Sequence, residues 1–188
     1  MSERCKVGVG VMIVEQGRFL VGIRKGSHCA GELSFPGGHI DLEDQSIQSA
    51  GIREVYEEVI DPRTGDGLKI TINTFYKYQP QVFLRHDIME NGTKAYVTLF
   101  LSGNLSYPYS QGIDFDKPMP SREPDKCEEW RWMSFWDLVD HAFQVNCRKM
   151  DYYELIGFLD RQLNQNNAWI PLDMIYHHRE IIGVDDWL

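Results

Sequence analysis

The segment Val7–Val14, VGVGVMIV, constrains the fold most, because eight successive apolar or glycine residues suit a strand buried in a core. Gln16-Gly17 follows as a turn, and Phe19, Leu20, Val21 and Ile23 form a second apolar stretch, so the pair reads as a hairpin of core strands. Arg24 to Ser27, RKGS, is a basic loop, and Pro36-Gly37-Gly38 is a sharp turn. Residues 45–59 read as a helix. Further strands are expected over 68–78, 81–85, 95–101 and 129–133, with a turn at Asn91-Gly92. Residues 104–126 carry Pro108, Pro118, Pro120 and Pro124 and read as one long loop. Ser134 is an expected N-cap for a helix to Phe143, and Asp151–Leu163 has helical apolar spacing. The expected class is α+β: a mixed sheet with a few helices, as one domain over residues 1–188. Within it, 145–188 forms a helical extension and tail.

Composition narrows the chemistry. Nineteen Lys and Arg stand against 28 Asp and Glu, a net charge of −9, which disfavours charge-driven binding of polymeric nucleic acid. No stretch approaches the length of an apolar membrane span, and Met1–Lys6 is polar with no secretory h-region after it. Cys5, Cys29, Cys127 and Cys147 are far apart, with no CxxC pair, so they suggest neither a zinc site nor a disulfide framework. Reduced thiols in a cytoplasmic setting are the expectation. An anionic ligand would then need something other than a basic surface to hold it.

Gly37–Glu58, GGHIDLEDQSIQSAGIREVYEE, is the most informative stretch. Glu54 and Glu58 are spaced i,i+4 and Glu54 and Glu57 i,i+3, so all three project from one side of the helix. Such like charges destabilise a helix unless neutralised, and clustered hard oxygen donors suit Mg²⁺ or Mn²⁺. Val55 and Val59 are placed to dock the helix on a sheet, and Arg53 to pair with a nearby carboxylate. A solvated acidic face would explain REVYEE alone. The Gly-Gly turn upstream of it favours the metal reading.

The segment resembles the Nudix box, GX5EX7REUXEEXGU, with Gly38 as the leading glycine and Arg53, Glu54, Val55, Glu57 and Glu58 as REUXEE. VGVGV, RKGS, PGGH, AYVTLF and EPDKCEEWRW extend the resemblance over roughly residues 6–140. It implies a Nudix-type α/β/α sandwich with a mixed sheet. Two departures stand out. The loop between Gly38 and Arg53 is one residue longer than in the family pattern, so Asp44, Gln45 or Glu43 takes the place of the usual glutamate. Ile60 replaces the glycine after the helix, leaving Pro62 and Gly65 as the expected stop.

The resemblance implies hydrolysis of a nucleoside diphosphate linked to another group, by metal-assisted positioning and charge neutralisation. It gives Glu54, Glu57, Glu58 and the Gly37 carbonyl as metal ligands. Glu54 orients or deprotonates the attacking water, with Glu128 or Glu129 as alternatives. Arg24 contacts phosphate, Lys25 reads as solvated, Gly38 lies on the substrate side, and His39 either contacts phosphate there or caps the turn. RKGS, PGGH, YVT and EPDKCEEWRW resemble the MutT-like branch, which converts nucleoside triphosphates to monophosphates and pyrophosphate. Tyr76, Tyr78 and Pro80 are weak echoes of diadenosine-polyphosphate and ADP-ribose branches. A nucleotide-binding module without strong catalysis is a further alternative, against which the chain keeps all three box glutamates. Phe35, Trp136 and Phe143 are candidates for an aromatic base wall, with core packing the simpler reading. Of Trp130 and Trp132, alternating along a strand, at least one is core. His177-His178 reads as a surface pair. The extension either covers the core or forms a homodimer contact.

Overall fold

The computed structural model describes residues 5–25, 31, 33–72, 83–89, 94–106, 112–134 and 136–138. The expected strand 68–78 beyond Ile72, the Asn91-Gly92 turn, the helix to Phe143 beyond Leu138 and the helix 151–163 lie outside them, as do Tyr76, Tyr78, Pro80, His177, His178 and the extension 145–188.

The apolar run forms β1 (Lys6–Glu15), and Val9 through Val14 are buried without alternation. That pattern marks a strand covered on both faces. Gln16 and Gly17 both take positive φ, 50° and 73°, the two-residue turn whose twist suits a hairpin. It leads into β2 (Arg18–Arg24), with Val14 opposite Phe19. The rest of β1 pairs elsewhere. Lys6–Ile13 runs parallel to β7 (Lys94–Leu105), from Lys6 opposite Tyr96 to Ile13 opposite Gly103. Gly8, Val9 and Gly10 also pair antiparallel with β4 (Gly37–His39). β1 is thus shared by two half-sheets. On one side β7 pairs with β5 (Ile70–Ile72) and β6 (Phe83–Met89). On the other, β2 pairs with β3 (Leu33–Ser34) and β9 (Cys127–Ser134), and β9 with β8 (Met119–Pro120). This is the mixed sheet expected of an α+β chain.

The helix α1 (Ile47–Glu58) starts at Ser46. The Ser46 hydroxyl accepts from Ser49 N at 3.0 Å, and the Ser49 hydroxyl accepts from Ser46 N at 2.8 Å, satisfying two backbone donors at the cap. The helix docks closely on the sheet, because a Cβ at Gly51 would meet Val11 and Leu101 at 2.9 and 3.0 Å. Val55 and Val59 are fully buried, as their spacing predicts, in a core with Val11, Ile13, Leu20, Leu68, Met119, Trp130 and Trp132. Both tryptophans are therefore core.

Three expectations need correction. The helix stop is not supplied by Pro62 and Gly65. Val59 already turns extended and bridges Ser121, and Ile60 bridges Gly67. Leu68 N and Arg122 N donate to the Val59 and Glu58 carbonyls, both at 2.9 Å, so the helix end is satisfied by leaving as a strand. Second, residues 104–126 are not one loop, since β7 runs on to Leu105 and β8 lies within the span. Third, the Gly-Gly turn is itself a strand, β4. Its apolar pattern is too short to signal pairing. The Ser134 cap holds: its hydroxyl accepts from Asp137 N at 3.1 Å, Asp137 accepts from Ser134 N at 2.9 Å, and 136–138 are helical. The helix expected over Asp151–Leu163, which the sandwich would use as a further layer, lies outside the described residues.

Candidate active site at the end of the helix

The site forms where β4 crosses β1 and faces the last turns of α1. Both glycines are needed there for space. A Cβ at Gly37 would meet the Val9 carbonyl at 2.1 Å, and one at Gly38 would meet both Glu54 carboxylate oxygens at 2.5 and 2.7 Å. The bare Gly38 thus leaves the volume that the Glu54 carboxylate fills. One helical turn on, Glu58 accepts from the Gly37 N–H at 2.9 Å. Burial pushes the Glu58 carboxyl up to about 7; the Gly37 N–H opposes this, and the charges of Glu54 and Glu123 add to it. Glu54 is also raised, mainly by burial, with Arg53 opposing. The Glu54 charge thus adds to the proton affinity of Glu58 one turn on, while Glu57 and Asp41 add to that of Glu54.

Arg53 is the hub. Its Nε donates to Asp44 Oδ1 at 3.1 Å and its Nη2 to Asp44 Oδ2 at 2.8 Å, a bidentate pair. Nη1 reaches Glu54 at 2.8 Å and Glu57 at 3.0 Å, and Nη2 also donates to the His39 carbonyl at 3.0 Å. Arg53 is accordingly held more firmly protonated than usual and Asp44 is lowered, in both cases chiefly by their mutual hydrogen bond. Of the three residues open for the lengthened loop, Asp44 is the one that faces the box arginine. Glu43 and Gln45 are exposed. Asp44 also accepts from Asp41 N at 2.9 Å, so its carboxylate folds the extra residue into a tight turn.

The structure brings Gly37, Gly38, Arg53, Glu54, Glu57 and Glu58 together. Glu57 is the outermost, with its side chain 54% exposed against 12% for Glu54. His39 is exposed, and its backbone, through the carbonyl, takes part in the arginine hub. Arg24 is exposed at the end of β2, opposite Cys127 in the ladder. Glu128 pairs with Lys25 at 3.0 Å, and Glu129 pairs with Arg131. Neither of these glutamates is among the charges that shift Glu58, whereas Glu123 is. Sequence reasoning had passed over Glu123 and Lys126, although both stand inside EPDKCEEWRW. Phe35 meets Phe100 edge-on at 6.3 Å, and Trp136 is half-buried.

Among the described residues, no group of three or more His, Cys, Asp or Glu side chains converges as one cation site. The donors nonetheless suit a hard divalent ion. They are carboxylate and carbonyl oxygens beside a glycine strand with no Cβ in the way, and among the described residues the Glu58 carboxylate forms no ion pair, the Lys126 charge opposing its raised pKa from further off. No helix among the described residues is long and apolar enough to cross a membrane.

The family model of the NUDIX domain matches residues 5–152, most of the chain. Among solved structures, a NUDIX hydrolase from Nitrosomonas europaea aligns at 20% identity and a TM-score of 0.53, covering 91% of this chain and 95% of that one. The NUDIX domain of Shewanella oneidensis NrtR, complexed with ADP ribose, aligns at 17% identity and a TM-score of 0.51, covering 86% of this chain and 90% of that one. At such identities these likenesses speak for the fold. The chain belongs to the NUDIX family and is a pyrophosphohydrolase of the NUDIX type.

Proposed function

We propose that this protein hydrolyses a nucleoside triphosphate, of a deoxy or modified kind, to the monophosphate and pyrophosphate. In this reading Mg²⁺ or Mn²⁺ is held by Glu54, Glu57, Glu58 and the Gly37 carbonyl. The observation that carries it is the half-buried pair Glu54 and Glu58 against the Gly37-Gly38 backbone of β4, with Glu58 in no ion pair among the described residues. When bound, such an ion neutralises phosphate charge and lowers the pKa of a bound water. The chain supplies the rest. Glu54, whose proton affinity burial raises, orients or deprotonates the attacking water. Arg53 fixes the Glu54 rotamer through the 2.8 Å bond. Arg24, Gly38 and His39 line the substrate side. The MutT-like resemblance of RKGS, PGGH, YVT and EPDKCEEWRW supports the triphosphate. The substrate is a free nucleotide in the cytoplasm, not a polymer or a membrane component, and the free thiols Cys5 and Cys127 accord with that setting.

A second reading, a nucleotide-binding module, is favoured by one feature: Arg53 already pairs with Glu54 and Glu57. Pyrophosphate release with Mg²⁺ across the deoxynucleoside triphosphates, with ADP-ribose and diadenosine polyphosphates as further arms, separates the two. The expected result is monophosphate and pyrophosphate from a triphosphate. Turnover confined to ADP-ribose or a diadenosine polyphosphate would remove the triphosphate assignment, and nucleotide binding without any turnover would favour the module.

A further inference from the structure

The end of β2 and the turn ahead of β9 meet beside the site helix. Arg24 lies opposite Cys127, and Lys25 N donates to the Lys126 carbonyl at 2.7 Å. The turn Glu123–Lys126 is closed by Lys126 N and Cys127 N, both donating to the Glu123 carbonyl at 2.9 Å. Arg122 N, just before it, donates to the Glu58 carbonyl at 2.9 Å, so the turn is fastened to the helix end that carries the carboxylates. Arg24 and Lys25 thereby meet Arg122 and Lys126, remote in sequence, at one corner. Lys25 is engaged with Glu128 at 3.0 Å. The Lys126 ammonium donates to both Glu123 oxygens at 2.7 and 2.9 Å. It also lies in the field of Glu58 and Glu54, whose charges add to the Glu123 bond in raising its pKa.

We propose that Lys126 is a phosphate-binding residue of this site, contacting oxyanions of a bound triphosphate, with Glu123 holding the ammonium in position. The inference rests on the triphosphate reading above. The pair is solvent-facing, with side chains 71% and 38% exposed, and such pairs exchange partners readily. A triphosphate offers several charged oxygens where Glu123 offers one carboxylate, and ammonium groups bind phosphate as point charges. The charges of Glu54 and Glu123 both act on Glu58, and the Lys126 charge opposes them. The backbone anchors on Glu58 and Lys25 fix the Lys126 backbone at the corner, and the Glu123 bonds restrict its ammonium.

The test compares wild type with K126M, K126R and a control, K117M. Lys117 pairs with Asp114 at 3.1 Å, beside the Phe115 and Asp116 contacts of Arg18 at the other end of β2. Steady-state kinetics with dGTP and Mg²⁺ are paired with calorimetric binding of inorganic tripolyphosphate. K126M is expected to raise KM roughly tenfold or more, as loss of a charge-assisted bond does. Its kcat should stay within about threefold, the signature of lost binding. K126R should recover most of the loss, K117M should match wild type, and tripolyphosphate affinity should fall in parallel with KM. A K126M KM within about twofold of wild type, or an equal effect in K117M, overturns the proposal. If wild type turns over no triphosphate, the function reading fails, and tripolyphosphate binding alone decides. A loss confined to K126M then upholds the Lys126 contact. Unchanged affinity, or no binding by wild type, overturns it.

Discussion

Glu58, half-buried, and Asp61, buried, are carboxylates three positions apart, and they meet the cost of desolvation in opposite ways. Asp61, 1% exposed, accepts from Arg63 N at 2.9 Å, Nε at 2.8 Å and Nη2 at 2.7 Å. The Arg63 bond holds its carboxyl below the usual range. Its charge is answered within two residues, so it is structural. Glu58 has a backbone N–H in place of an arginine, and burial pushes it up to about 7. Natural chains neutralise buried charge where they can. Among the described residues Glu58 forms no ion pair, and only the more distant Lys126 charge opposes its raised pKa, which is why the proposed function places a cation there.

That contrast can be broken most directly at Glu58. Glu58→Gln should lower metal-dependent pyrophosphate release by roughly a hundred- to thousandfold, the scale for losing one preorganised charge-stabilising group. It should leave the circular dichroism melt near wild type, since burial already favours the neutral form. Wild-type-like rates would sink the site assignment. At Asp61 the outcome should reverse. Asp61→Asn should cost about 2 kcal/mol in denaturant unfolding, with kcat kept at temperatures where the protein is folded. Because Arg63 lowers the folded pKa below the unfolded value of about 3.9, this stabilisation is fully present above that pH. It is lost as pH falls through the folded pKa. The gap between wild type and Asp61→Asn should therefore close below about pH 4. Unfolding curves at neutral and acidic pH check this.

Asp44→Asn sharpens the same contrast at a distance from the reacting groups. It removes the charge that orients Arg53 and should lower kcat roughly tenfold, the range for a supporting partner, without loss of melting temperature comparable to Asp61→Asn. The smallest effect belongs to Tyr56→Phe. Tyr56 donates to Asp66 at 2.6 Å and lies under Arg122 at 5.3 Å, on the structural side of the helix end. Its melting temperature should stay within the scatter of ordinary surface substitutions, with unchanged kinetics. A catalytic defect there would blur the boundary between the two sides.

What was legible in the sequence followed short-range periodicity. Val7–Val14, the Gln16-Gly17 turn, the helix over 45–59 and the buried Val55 and Val59 all declare themselves through spacing or turn chemistry. β3, β4 and β8, of two or three residues, carry no periodic signal and exist through partners far along the chain. The box carboxylates were legible because one helix presents them. Which loop residue meets Arg53 was not, because the choice among Glu43, Asp44 and Gln45 depends on how the turn closes. Lys126 and Glu123 were hidden for a related reason: only the β2–β9 register and the Arg122–Glu58 bond bring them to the helix.

The parallel ladder between β1 and β7 has a consequence for how the protein is made. Lys6 through Ile13 find their β7 partners only at Tyr96 through Gly103. Closing so long a loop is entropically costly and slow, and the partner must first leave the ribosome. A nascent chain that has emerged only as far as the box helix has β1, β4 and every box carboxylate in hand. It lacks the strand that covers the other edge of β1. Synthesis therefore passes through an interval in which the acidic helix is complete and the sheet beneath it is not.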